Sequence, residues 1–153
     1  MKKIVFVCLG NICRSPIAEG ILKAKIAGKN LNWEIESKGT EAYHIGKPAD
    51  ARGVRTAANF GVNTSQHIAR QFTKNDFKKY EIIYAMSTDV YEELRAMAKD
   101  SASLDKLKLF MDIKYPGKNL SVPDPWYGSE EGYIPVFEMI DDVCNFLVEK
   151  NTF

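Results

Sequence analysis

An apolar run, Ile4-Val5-Phe6-Val7, leads directly into Cys8-Leu9-Gly10-Asn11-Ile12-Cys13-Arg14-Ser15-Pro16. Ile17 to Ile26 then carries apolar residues at helical spacing. β-Branched residues in a short apolar run mark a buried strand, and the 3.6-residue period marks an amphipathic helix. Ser15 suits an N-cap, and Pro16 suits the first helical position, where no backbone N–H is needed. The chain is expected to pass from a strand at about Lys3–Leu9, through a tight loop, into a helix at about Pro16–Ala27. A buried strand followed by a helix is the opening of a parallel, crossover-built sheet, and few folds begin that way.

The remaining segments continue the alternation. Trp33-Glu34-Ile35-Glu36-Ser37 alternates apolar and polar and reads as strand 2. Gly39 to Pro48 reads as a loop, and Ala49–Phe60 as a helix stopped by Gly61. His67–Phe72 is irregular or briefly extended, and Lys74–Lys78 is a short helical turn. Ile82–Met86 is apolar throughout, as a central strand would be. A helix is expected over Thr88–Lys99 and a short strand over Leu107–Phe110. Met111 to Gly132 is a long loop with prolines at 116, 123 and 125, and loops of that length are commonly functional. The last helix covers Tyr133–Glu149, with Ile134, Phe137, Ile140, Cys144 and Leu147 on one face. These elements predict an α/β fold, a mostly parallel sheet with helices on both faces, and a four-stranded sheet in the order 2-1-3-4 fits them. In that order the carboxyl end of strand 1, where Cys8 stands, is a topological switch point, the usual place for a ligand.

With 153 residues and no repeat, low-complexity run or linker, a single domain over 1–153 is expected. The formal net charge of +1 points to neither nucleic acid nor a membrane surface. Gly10-Asn11 and Arg14 interrupt the N-terminal apolar run, which argues against a signal peptide. No apolar stretch approaches the roughly 20 residues that span a bilayer. Three cysteines do not make a secreted disulfide framework, so a reducing cytoplasm is expected. With two histidines they lack zinc-ligand spacing, and no metal is expected.

The loop after strand 1 has a direct chemical reading. Its successive backbone N–H groups form an anion nest, and the following helix adds its positive end. Gly10 permits a tight turn, and Asn11 tolerates a left-handed one. Arg14 can grip two oxygens of a tetrahedral oxyanion with its planar fork. The same positive field favours thiolate at Cys8, a nucleophile aimed at the phosphorus of a bound phosphate. Strand cysteines are often simple core residues, and a Cys and an Arg with five residues between them is a weak signal alone. Its position between strand and helix makes it specific. Such chemistry needs a proton donor that later serves as a base, and Asp124, held between Pro123 and Pro125, is the candidate.

The first sixteen residues resemble the N-terminal signature of the low-molecular-weight protein tyrosine phosphatases. Asp124-Pro125-Trp126-Tyr127 resembles their general-acid loop, Ala69-Arg70-Gln71 also matches, and the likeness covers essentially the whole chain. The resemblance implies hydrolysis of protein phosphotyrosine through a phosphocysteine, with no metal or cofactor. Cys8 would be the nucleophile and Asp124 the acid and base. Arg14 and the loop Leu9, Gly10, Asn11, Ile12 and Cys13 would bind phosphate or similar oxyanions. Ser15 would hydrogen-bond the Cys8 sulfur. Tyr43, Trp126 and Tyr127 would wall a slot for the phosphotyrosine ring, and Asn11, Ser37 and His67 would brace the loop. A cysteine at position 13 implies a reversible disulfide with Cys8, whereas Cys144 reads as core.

Three rivals follow. Phosphoarginine phosphatases of this kind carry threonine where Ile12 stands. Thiol-dependent arsenate reductases need a relay of further cysteines, and only Cys13 and Cys144 are available. A non-enzymatic oxyanion-binding module would bind phosphate without turnover.

Overall fold

The computed structural model describes residues 1–151 and 153 of the chain. Strands β1 (Lys2–Cys8), β2 (Trp33–Gly39), β3 (Ile82–Ala85) and β4 (Leu107–Leu109) form one parallel sheet in the order β2-β1-β3-β4. The helices are α1 (Arg14–Ile26), α2 (Ala51–Asn59), α3 (Asp76–Lys79), α4 (Thr88–Met97), α5 (Ser101–Lys106) and α6 (Tyr133–Lys150). The expected sheet order is the one observed.

β1 shows why its sequence is apolar without interruption. Successive side chains of a strand point to opposite faces. Ile4, Phe6 and Cys8 join the core with Ile17 and Ile21 of α1 and Phe137 and Ile140 of α6. Val5 and Val7 join a second core with Phe77 of α3 and Val90 and Leu94 of α4. From Ile4 to Cys8 both faces are covered, so no polar position is left on that stretch, and Lys2 and Lys3 stand at the more exposed start of the strand.

Several boundaries and roles differ from the sequence expectation, each for a physical reason. Ser15 is not the N-cap of α1. Cys13 takes that place without a side-chain cap bond, and Ser15 lies inside the first turn with its hydroxyl turned to Cys8. Pro16 is the third helical residue, still within the turn whose N–H groups need no intrahelical partner. α2 begins two residues later than expected, because the Asp50 carboxylate caps it by accepting from the Arg52 N–H at 2.9 Å. α5 was not anticipated. None of its side chains is buried, so it has no apolar period to read, only an Asp100 cap accepting from the Ser103 N–H. The long loop contains 3₁₀ turns at Phe110–Ile113, Pro125–Tyr127 and Glu130–Gly132. On α6 the buried stripe is Tyr133, Val136, Phe137, Ile140, Val143, Cys144 and Leu147, and Ile134 is exposed. The stripe starts at Tyr133, and the next residue is turned about 100° away from it.

The segment after α2 hangs from the end of β2. Gly39 N–H donates to the Arg70 carbonyl at 2.8 Å, and Phe72 N–H donates to the Gly39 carbonyl at 2.7 Å. This carries His67 and Arg70 to the loop that follows β1.

Candidate active site

β2 and β3 pair with opposite edges of β1, so the chain leaving Cys8 enters the crevice between two diverging connections. The loop is shaped from outside. Thr40 N–H donates to the Cys8 carbonyl at 3.0 Å, and Glu41 N–H donates to the Leu9 carbonyl at 2.9 Å. Carbonyls held outward leave the N–H groups to face inward. Among the described residues, no backbone acceptor pairs with the N–H groups of Gly10 through Ser15. Asn11 makes the turn at φ +59°. Gly39 is required where the loop lies on β2, since a Cβ there would stand 2.8 Å from the Leu9 oxygen and 3.0 Å from the Asn11 nitrogen.

A buried chain of hydrogen bonds joins the groups beneath the loop. Asn11 Nδ2 donates to Ser15 Oγ at 2.8 Å and to Ser37 Oγ at 3.0 Å. Ser37 Oγ donates onward to Glu19 at 2.6 Å. Ser15 Oγ also lies 2.9 Å from Cys8 Sγ, and its hydroxyl is free to donate to that sulfur when the sulfur is a thiolate. Asn11 Oδ1 accepts from the Arg70 N–H at 2.9 Å, and the Asn11 carbonyl accepts from His67 Nε2 at 2.6 Å. A carbonyl only accepts, so His67 carries its proton on Nε2. Burial lowers the His67 pKa, against the opposing pull of the Asn11 carbonyl and Glu19, and favours the neutral ring. Its 3.8 Å approach to Glu19 is then no ion pair at neutral pH.

Arg14 is buried at the start of α1. It donates to the Val122 carbonyl at 3.1 Å and stands 3.7 Å from the Asp124 carboxylate. Its Nε is buried without a partner. Asp124 accepts from the Trp126 N–H at 3.0 Å, which starts the 3₁₀ turn of its own loop. Cys8, Leu9, Gly10, Ile12, Cys13 and Arg14 floor a cavity of about 150 Å³. Tyr43, His44, Asp124, Trp126 and Tyr127 form its rim. Tyr43 and Tyr127 are 66% and 85% exposed, so their faces are open to a ligand. A larger cavity of about 750 Å³ at the β4 edge is lined by neither cysteine nor arginine.

The chain is similar in sequence and fold to known proteins. Residues 3–151 match the family model described as low molecular weight phosphotyrosine protein phosphatase. The chain belongs to that family. It is 35% identical over 152 residues to the Gallus gallus low molecular weight phosphotyrosine protein phosphatase, covering 98% of this chain and 96% of that protein. The Homo sapiens protein of the same name is 36% identical over 152 residues, covering 97% and 95%. The structure of a protein tyrosine phosphatase from Entamoeba histolytica with Hepes in the active site superposes with a TM-score of 0.90. It is 36% identical, covering 99% of this chain and 97% of that one. Vibrio vulnificus Wzb in complex with benzylphosphonate gives a TM-score of 0.85 at 30% identity, covering 97% and 98%.

Around the cavity the expected residues fall in two groups. Cys8, Leu9, Gly10, Ile12, Cys13, Arg14, Tyr43, Asp124, Trp126 and Tyr127 line the cavity. Asn11, Ser15 and Ser37 are fully buried and connect beneath it with His67. Cys8, Cys13 and Cys144 are free thiols. Cys13 accepts from the Tyr133 hydroxyl at 3.3 Å, and burial pushes its thiol up to about 12. Burial also raises Cys144, which lies in the core as expected. Sequence reading missed Glu19, Gly39, His44, Asp50, Arg52 and Tyr133. Two of these carried a local signal. Ser15, Glu19 and Lys23 recur at four-residue spacing on α1, and Asp50 precedes a helix start in N-cap position.

Proposed function

We propose that this chain hydrolyses phosphotyrosine in proteins by double displacement through a phosphocysteine. The loop amides and Arg14 bind the phosphate dianion, and the orphaned Arg14 Nε supplies a donor for it. Cys8 Sγ attacks phosphorus in line, and the bond to the phenolic oxygen breaks as Asp124 delivers its proton to that oxygen. Water, deprotonated by the Asp124 carboxylate, then displaces the Cys8 thiolate, and the Ser15 hydroxyl stabilises the departing sulfur. Fixed donors around the equatorial oxygens need no reorganisation as charge develops, and that is where most of the acceleration arises.

The observation that carries this reading is that Cys8, Arg14 and Asp124 line one small cavity under an aromatic rim. A tyrosine phosphate reaches such a floor with its ring between Tyr43, Trp126 and Tyr127, whereas phosphoserine is too short to do so. The Hepes and benzylphosphonate complexes of related proteins are consistent with an oxyanion on this loop. Cys8→Ser is expected to abolish release of p-nitrophenol from its phosphate ester while inorganic phosphate still binds. Normal turnover by that variant overturns the proposal. Parallel rates on phosphotyrosine and phosphoarginine peptides test the substrate class, with phosphotyrosine expected to be preferred. Faster phosphoarginine turnover reverses the assignment.

A further inference from the structure

Arg52 stands outside the cavity, yet it joins both halves of the site. Its backbone N–H and Nε donate to Asp50 Oδ1 at 2.9 and 3.0 Å, and Nη2 donates to Asp50 Oδ2 at 2.8 Å. Asp50 in turn donates its backbone N–H to the Ile12 carbonyl of the phosphate loop at 2.9 Å. On its other side, Arg52 Nη1 donates to the Gly128 carbonyl at 3.0 Å, and Nη2 donates to the Trp126 carbonyl at 3.2 Å. The guanidinium also lies 5.5 Å from the Trp126 ring and 5.3 Å from the Tyr133 ring, within cation–π range.

Up to Pro125 the segment that carries Asp124 is anchored, since Val122 and Pro125 are buried and the Val122 N–H donates to the Met86 carbonyl at 2.9 Å. Beyond Pro125 it has less to hold it. Trp126 and Tyr127 are exposed, so burial anchors neither. Within the turn, Trp126 N–H bonds Asp124 and Gly128 N–H bonds the Pro125 carbonyl at 3.3 Å, and both bonds move with the turn. At its root, the Val122 carbonyl accepts from Arg14. The carbonyls beyond Asp124 are fixed to the body of the protein by Arg52. Its own charge is balanced by Asp50, whose carboxyl it holds below the usual range. Four of its five guanidinium hydrogens are committed to the acceptors above. Arg52 is therefore no second phosphate ligand.

We propose that Arg52 is the positioning residue for Asp124, a strap that ties the acid-bearing turn to the phosphate loop through Asp50 and Ile12. This rests on the reading of Asp124 as the general acid. The strap places the carboxyl where the leaving oxygen departs, and it needs the planar fork of arginine. Lysine has one point charge and cannot serve Asp50 and two carbonyls together.

The test is leaving-group dependence of kcat/KM, which reports phosphoryl transfer to Cys8 even when hydrolysis of the phosphoenzyme limits kcat. A misplacement of about 1 Å costs on the order of a hundredfold where the misplaced group acts. Arg52→Ala is expected to lose about 10- to 100-fold on phenyl phosphate, which needs the proton, and far less on 2,4-dinitrophenyl phosphate, which does not. Inhibition by inorganic phosphate should stay within about twofold, because the nest keeps its own ligands. Arg52→Lys should follow Arg52→Ala, and Asp50→Asn, which only loosens the strap, should show the same selectivity to a smaller degree. These two keep the test available if Arg52→Ala does not fold. In an Asp124→Ala background, Arg52→Ala should add no further selectivity.

A uniform loss across substrates, an unchanged enzyme, or weakened phosphate inhibition overturns the strap. If Asp124→Ala itself shows no leaving-group dependence, the acid assignment fails first. If Asp124→Ala shows it and the Arg52 and Asp50 variants do not, only the strap fails.

Discussion

Replacing Asn11 by alanine strikes the group on which the buried network converges. Three hydrogen bonds disappear: to Ser15 at 2.8 Å, to Ser37 at 3.0 Å, and from the Arg70 N–H at 2.9 Å. At about 1 kcal/mol each, they account for about 3 kcal/mol. Alanine at φ +59° adds about 1–2 kcal/mol of backbone strain. The sum, about 4–5 kcal/mol, is a large fraction of the roughly 5–15 kcal/mol that holds a domain together. Asn11→Gly separates the two causes. It loses the same bonds without the strain, but adds about 0.5–1 kcal/mol of unfolded-state entropy. It should therefore recover about 0.5–1 kcal/mol relative to alanine. Urea unfolding at neutral pH measures both, with midpoints shifting and slopes unchanged. Turnover should fall at least tenfold in each variant, because the Ser15 hydroxyl beside Cys8 loses the Asn11 amide that holds it in place. An Asn11→Ala protein within about 1 kcal/mol of the parent, with full turnover, would refute the reasoning.

Three further outcomes are expected. Gly39→Ala should push the loop backbone outward and raise the inhibition constant for inorganic phosphate several-fold, because its Cβ would meet the Leu9 oxygen at 2.8 Å. An unchanged constant would show that the contact relaxes elsewhere. His67, whose pKa burial lowers from 6.5, leaves the unfolded chain holding a proton that the folded chain refuses. Its stabilisation is complete above pH 6.5 and is lost as pH falls through the depressed folded value. His67→Gln should flatten the stability profile below about pH 6.5, measured by urea midpoints, and an equally steep profile would contradict this. Finally, iodoacetate followed by mass spectrometry should label Cys8 first and be blocked there by phosphate. Cys13, held up at about 12, and the core residue Cys144 should react slowly, and rapid labelling of Cys13 would show that the Tyr133 contact does not persist.

Much of this protein could be read from local pattern. The apolar run at Ile4–Val7, the alternation at Trp33–Ser37 and the period of the last helix gave the class, since burial on one or two faces writes itself into neighbouring residues, while the sheet order rested on the family resemblance. Cys8, Arg14 and Asp124 were legible because each sits in a run of residues whose backbone constraints belong together. Where pattern was silent, the reading erred. α5 buries nothing and left no period. Ser15 has the chemistry of a cap and instead serves Cys8. Ile134 fits the helical spacing of its neighbours yet faces solvent.

What sequence alone determined, then, is the order of elements and the residues of the phosphate loop and acid turn, because helix, strand and turn preferences act between near neighbours. Only the tertiary structure decided which distant groups complete them. Asn11 meets Ser37 and Arg70, Tyr133 meets Cys13, and Arg52 meets Trp126 and Gly128 across gaps of 26, 59, 120, 74 and 76 residues. Hydrogen bonds of that reach depend on how the layers pack, and a linear pattern holds no record of packing.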